Sequence, residues 1–216
     1  MNFSDKLANT QKMISDLILN EPQTFGSKVV PPPLTELKNA AQACYQALQR
    51  GNKIFFMGNG GSAAESQHLA AELVGHFIQQ SEPYAAIALT TDTSTITAVG
   101  NDYNFKEIFS RQLTALARPG DVAVYLSTSG SSENILEAMK VGKIIGCVNI
   151  ALTGMKTTWM QEWAHYYVAV PSTQTPQIQE GHLILGHLLC ECIEEKMEKI
   201  SSKNKMYSYD PALDNF

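Results

Sequence analysis

Between Lys53 and Phe77 the chain reads KIFFMGNGGSAAESQHLAAELVGHF, a short apolar run, three glycines within four positions and then a helical pattern, with no break. This order constrains the fold more than any other stretch. Lys53 to Met57 has the length and aromatic, apolar character of a buried strand, and Gly58, Gly60 and Gly61 let the backbone turn sharply with no Cβ in the way. Ser62 followed by Glu65 has the spacing of a capping box, which predicts a helix from Ser62 and free amides at the turn. A helix N-terminus of this kind suits an anion such as a phosphate. The run is neither a complete dinucleotide fingerprint nor a Walker loop, since no Lys follows its last Gly.

The same alternation recurs downstream. Ala85 to Leu89, Val122 to Leu126, Cys147 to Leu152 and Tyr166 to Val170 read as strands, and helical spacing separates them at Ile108 to Leu116, Asn134 to Val141 and Trp159 to Trp163. Thr90 to Thr97 reads as a loop or helix start. A long last helix, with Pro176 in its first turn, is apolar almost all round from Ile178 and becomes charged at Glu194, Glu195, Lys196 and Glu198. Strands alternating with helices predict an α/β fold with a parallel sheet covered on both faces and ligands at the carboxyl ends of the strands. Two helices precede the first strand. Phe3 to Leu19 carries Phe3, Leu7, Met13, Ile14, Leu17 and Ile18 at helical spacing, residues 21–33 form a break ending in three prolines, and Leu34 to Gln49 stops at Gly51. The sequence leaves open whether these helices are a dimerising layer or an outer cover.

The chain length of 216 residues with 44% apolar residues suits one domain with a sizeable core. The expected division is an N-terminal helical extension over 1–33, the α/β domain over 34–200 and a tail over 201–216. A net charge of −5 gives no footprint for nucleic acid or an acidic membrane. No apolar run reaches spanning length, and MNFSDKLANTQ lacks the pattern of a secretory leader. Cys44, Cys147, Cys190 and Cys192 form no CxxC pair and read as reduced packing cysteines, so a cytoplasmic location is expected.

On a helix from Ser62, residues Glu65, His68, Glu72 and His76 share one narrow face, opposite Ala70, Leu73, Val74 and Phe77. That stripe offers acid/base chemistry; the competing reading is a solvated face with ordinary i, i+4 pairs. Gln179 and His187 lie on one side of the last helix, where His187 reads either as a site residue or as a core histidine satisfied by one hydrogen bond. Gly181 and Gly186 favour close packing there. The loop STSGSS from Ser127 offers hydroxyls and amides directly after a strand, as a phosphate cradle or a plain connection. Asn101 and Asp102 after Gly100 read as a turn or a clamp on sugar hydroxyls. No Gly-x-Ser-x-Gly elbow supports a serine triad.

MGNGGSAAESQHLAAEL, GNDYNF, LSTSGSS and IQEGHLILGHLL, in this order and spacing, resemble the sugar isomerase (SIS) domain family and, within it, the sedoheptulose 7-phosphate (phosphoheptose) isomerases. The resemblance implies a single SIS domain, a five-stranded parallel sheet flanked by helices in a Rossmann-like arrangement, and a homotetramer whose sites draw on more than one subunit. It implies aldose–ketose isomerisation of sedoheptulose 7-phosphate to D-glycero-D-manno-heptose 7-phosphate through an enediol, serving heptose biosynthesis for lipopolysaccharide core or surface polysaccharide. Substrate contacts carry over to Asn59, Gly60, Gly61, Glu72, Asn101, Asp102, Ser127, Thr128, Ser129, Ser132 and Gln179, and the catalytic pair to Glu72 and His187. Where members bind zinc, one ion per subunit, the ligands correspond to His68, Glu72, Gln179 and His187. Relatives commonly place Asp at Glu65, Asn at Ser131, and Arg at both His76 and Gln177; His and Gln do not replace the bidentate donors of a guanidinium. The alternative within the family is a non-catalytic protein that binds a replication initiator. Those relatives lack the catalytic glutamate, which is present here as Glu72.

Overall fold

A computed structural model describes residues 3–25, 28–78, 82–155 and 159–205. Its elements are α1 (Phe3–Leu19), β1 (Gln23–Phe25), β2 (Lys28–Val30), α2 (Pro33–Gln49), β3 (Ile54–Gly58), α3 (Gly61–Val74), β4 (Ala86–Ala88), α4 (Thr93–Asp102), α5 (Ser110–Leu116), β5 (Val122–Ser127), α6 (Glu133–Ile145), β6 (Val148–Gly154), α7 (Met160–Trp163), β7 (Tyr166–Val170) and α8 (Thr175–Lys205). The five strands expected from the apolar runs form one parallel sheet in the order β4-β3-β5-β6-β7. Chain order therefore reverses between β3 and β5. That reversal leaves a crevice beyond their carboxyl ends, the place where open α/β sheets bind ligands.

Because side chains alternate along a strand, β3 feeds both faces of the sheet. Ile54 and Phe56 join a core built with α1, α2, α3 and α8, while Phe55 and Met57 join one built with α4, α5, α6 and α7. Each fully buried phenylalanine contributes about 1.5–3 kcal/mol of apolar transfer. Three of the four cysteines are buried, all four are free, and burial pushes the thiol of Cys44 up to about 12 and that of Cys147 to about 11. They are packing residues, as expected.

Several local expectations change. Residues 21–33 are not a plain break: Gln23–Phe25 pairs antiparallel with Lys28–Val30, as the β-branched and aromatic residues Thr24, Phe25, Val29 and Val30 favour. Pro33 opens α2 rather than ending a segment, which its fixed φ and missing N–H allow at a first turn. Met13 and Leu17 of α1 are buried, but Leu7 and Ile18 are exposed. The stretch from Thr90 resolves into α4, whose N-cap Asp92 accepts the N–H of Thr95. The helix α8 continues through Lys205, so the tail expected from residue 201 begins as helix; residues 206–216 lie outside the described residues.

At the amino ends of β3 and β5 a single carboxylate ties the sheet together. Asp121, fully buried, accepts from the Lys53 amide at 3.0 Å, Lys53 Nζ at 3.1 Å, Asn52 Nδ2 at 3.0 Å and the Arg118 amide at 2.8 Å. Burial works against its charge, but these donors outweigh it and hold its carboxyl below the usual carboxylate range. A depressed folded-state value means that the stabilisation is complete above the unfolded pKa, near 4, and is lost as pH falls through the folded value. Asp121→Asn should cost about 2–4 kcal/mol in urea unfolding at pH 7. The gap to wild type should narrow as pH is lowered below about 4; a gap independent of pH would contradict this role.

Candidate functional site

The turn after β3 is tighter than a capping box. Gly60, at φ 56°, reverses the chain, and α3 starts at Gly61 instead of Ser62. Ser62 is buried inside the first turn, and the amides of Ser62 and Ala63 donate to the carbonyls of Asn59 and Gly60, each at 3.0 Å. Those amides are not free, contrary to the expectation from sequence. Glu65 makes no capping bond; its carboxylate lies 3.8 Å from Nδ1 of the fully buried His182.

Beyond the carboxyl ends of β3 and β5 lies a cavity of about 250 Å³ lined by Asn59, Gly61, Ser62, Leu126, Ser127, Thr128, Ser132, Thr175 and Gln179. Both small-residue loops therefore meet at the sheet's reversal point. Asn59 and Asn134 bridge them with reciprocal amide hydrogen bonds of 2.9 and 2.8 Å. The second loop folds on its own hydroxyls, with Ser127 Oγ accepting the Gly130 amide at 3.1 Å and lying 3.3 Å from Ser132 Oγ. No Lys or Arg is among the lining residues. What the cavity offers an anion instead is three helix beginnings, α3 at Gly61, α6 after Ser132 and α8 at Thr175, whose dipoles carry partial positive charge. Gln177 accepts from Ser172 Oγ at 2.7 Å.

From the cavity, α8 runs along α3 in the same direction. Gln179 presses on Gly61, where an added Cβ would collide with its amide. His182 faces Glu65, Gly186 seats Leu69, and His187 meets His68 with their Nε2 atoms 2.8 Å apart. His68 Nε2 is also 3.2 Å from Glu72 Oε1, and His68, Glu72 and His187 can present one ligand atom each within 4.8 Å of one another. Two imidazoles and a carboxylate suit a borderline transition metal such as Zn²⁺, and they equally suit proton transfer. His68 is exposed while Glu72 and His187 are half-buried, so the cluster is open to solvent on one side.

The sequence-derived residues divide accordingly. Asn59, Gly61, Ser127, Thr128, Ser132 and Gln179 line the cavity, while Gly60 shapes the turn and Ser129 accepts the amide of Ser131 within the loop. His68, Glu72 and His187 form the cluster. Gln179 stands at the cavity, two turns along α8 from His187, or about 12 Å at 1.5 Å per residue. Asn101 and Asp102 do not line the cavity; they end α4, exposed and bonded to each other at 2.8 Å. His76 leaves the stripe altogether, because Gly75 ends the helix and places it beyond, in solvent. Val74, expected on the packed side, is exposed. Asn134, Thr175 and the buried pair partner His182 escaped the sequence reading: Asn134 carries no pattern of its own, and Thr175 precedes the Pro176 start signal by one position.

The SIS domain profile matches residues 24–154. This chain belongs to the SIS domain family. Among relatives of this SIS domain, the phosphoheptose isomerase of Aquifex aeolicus is 54% identical over 149 residues, covering 69% of this chain and 78% of the relative. That of a Nitratiruptor species is 46% identical over 178 residues, 82% of this chain and 95% of the relative. The solved structure of phosphoheptose isomerase GmhA from Neisseria gonorrhoeae superposes with a TM-score of 0.78 at 37% identity, covering 89% of this chain and 96% of that one.

If the cluster is a metal centre, the purified SIS domain dialysed against Zn²⁺ and then against buffer should retain about one ion per chain by elemental analysis. His68→Ala should lose most of it. Equal retention by both proteins would remove these residues as ligands.

Proposed function

We propose that this SIS domain is a phosphoheptose isomerase, interconverting sedoheptulose 7-phosphate and D-glycero-D-manno-heptose 7-phosphate for heptose biosynthesis. The observation that carries the reading is the seating of α8 on α3, which sets a neutral, amide- and hydroxyl-rich cavity at one end and a His–Glu–His cluster at the other. Gly61 and His68 are seven residues apart on α3, on the order of 10 Å along the axis. An extended seven-carbon sugar phosphate spans such a distance with its phosphate at the helix beginnings and its carbonyl carbon at the cluster. The high identity to named phosphoheptose isomerases supports the same reaction.

In this reading Asn59 to Gly61, Ser127 to Ser129 and Ser132 hold the phosphate and Gln179 orients the sugar between cavity and cluster; Asn101 and Asp102, which do not line the cavity of their own chain, are assigned to the sugar hydroxyls by the family resemblance alone. Glu72 and His187 exchange the protons. One takes the proton from C1 of the ketose to give the enediol, and the other serves the oxygens and returns a proton to C2, each worth about 10²–10⁴-fold. His68 supports Glu72 and, with Glu72 and His187, would hold a zinc ion; bound there, Zn²⁺ supplies polarisation of the sugar oxygens. Apolar residues exposed on the chain, among them Leu7, Ile18 and Leu19 of α1 and Leu183 and Leu188 of α8, favour assembly, for which a homotetramer with shared sites is our proposal. Among the described residues no helix is long and apolar enough to cross a membrane. A cytoplasmic location, with neither membrane nor nucleic acid as partner, is a separate part of our proposal and rests on the net charge of −5. The initiator-binding alternative draws no support from the relatives, and Glu72 stands inside the cluster rather than being absent.

Glu72→Gln and His187→Gln should each keep the fold, by circular dichroism and gel filtration, and lose at least about 100-fold in turnover of sedoheptulose 7-phosphate. Near-normal rates in either variant would remove that residue from the chemistry.

A further inference from the structure

Glu194 is 2% exposed, although the charge pattern at this end of α8 predicts a solvated surface. Burying a charge is costly unless donors replace its water. Here the donors are two successive backbone amides, Phe77 to Oε1 at 2.8 Å and Ile78 to Oε2 at 3.0 Å. Both belong to the segment that leaves α3 after Gly75, one turn beyond Glu72. Fixing that segment places the Phe77 ring over the His187 imidazole, stacked at 5.0 Å between centroids and 27° between planes. Among the described residues the His187 ring makes one hydrogen bond, to His68, whose ring meets it edge-on at 5.1 Å. One hydrogen bond leaves an imidazole free to swing about it; a stacked face removes that freedom.

We propose that Glu194 is a positioning residue for the isomerase reaction: through the Phe77 and Ile78 amides it seats the Phe77 ring, which holds the His187 imidazole towards His68 and Glu72. Neither Glu194 nor Phe77 touches the reacting atoms in this scheme. The inference rests on the assignment of His187 to proton transfer, and the orientation of its ring can be read independently of turnover.

The chain has five histidines, so their ring signals are few enough to assign in a ¹⁵N- and ¹³C-histidine-labelled sample, with His187→Gln identifying the signal of interest. In wild type the His187 ring protons should show the ring-current shift of a stacked phenyl group. Glu194→Ala and Phe77→Leu should both abolish it, and Phe77→Tyr should keep it. Turnover should fall about 10- to 100-fold in the first two, with KM changed less than about threefold, because a misdirected group lowers the rate more than it weakens binding. Glu194→Gln, which keeps one acceptor, should fall between. The double variant Glu194→Ala with Phe77→Leu should be no slower than the slower single variant, since both act through one ring. A His187 signal unchanged in Glu194→Ala, or multiplicative losses in the double variant, would overturn the proposal. If wild type itself failed to isomerise the sugar, the reaction assignment would fall, while the ring signals would still decide the positioning claim.

Discussion

The site depends on one packing relation, the seating of α8 along α3 in the same direction. Neither helix carries a complete set of groups: α3 brings Gly61, His68 and Glu72, and α8 brings Gln179 and His187. The contacts advance together, Gly61 with Gln179, Glu65 with His182, Leu69 with Gly186, His68 with His187 and finally Phe77 and Ile78 with Glu194. Gly186 is required at its place because Leu69 fills the space a side chain would need. Sliding one helix by a turn would move partners by about 5.4 Å and separate the histidines. A rigid register of this kind is how a protein holds reacting groups within the narrow tolerance that catalysis needs.

Parallel alignment has an electrostatic consequence at the other end. With both helices starting at the cavity, and α6 starting there as well, partial positive charge gathers where no lysine or arginine stands among the described lining residues. Neutral donors and helix beginnings bind a phosphate without the long flexible cations that would order at an entropic cost. The absence of arginine at positions 76 and 177 fits this arrangement: His76 is carried past the end of α3, and Gln177 is bonded to Ser172.

The sheet, its strand count and the long last helix were legible because apolar runs of strand length alternate with helical spacing. His68 and Glu72 stood out as polar groups repeating on one face of a helix, whereas His187 read equally as a core histidine and joined them only through the family resemblance. The pairing of β1 with β2 was hidden behind the prolines that follow it. Ser62 and Glu65 show the limit of local patterns: their spacing matches a capping box, yet the positive φ at Gly60 starts the helix earlier and Glu65 turns to within 3.8 Å of the buried His182 instead of capping. Glu194 likewise looked like surface charge. Its burial depends on amides more than a hundred residues away in the chain, and no local pattern encodes that pairing.

The central claim is that a sugar phosphate anchored at the helix beginnings is isomerised at the His–Glu–His cluster. Proton NMR of sedoheptulose 7-phosphate with the purified protein, with and without chelator, tests it most directly. The account predicts growth of aldose anomeric signals to a constant ketose–aldose ratio, slowed by chelator if a metal is bound. An unchanged ketose spectrum at high enzyme concentration, with and without added Zn²⁺, would contradict it.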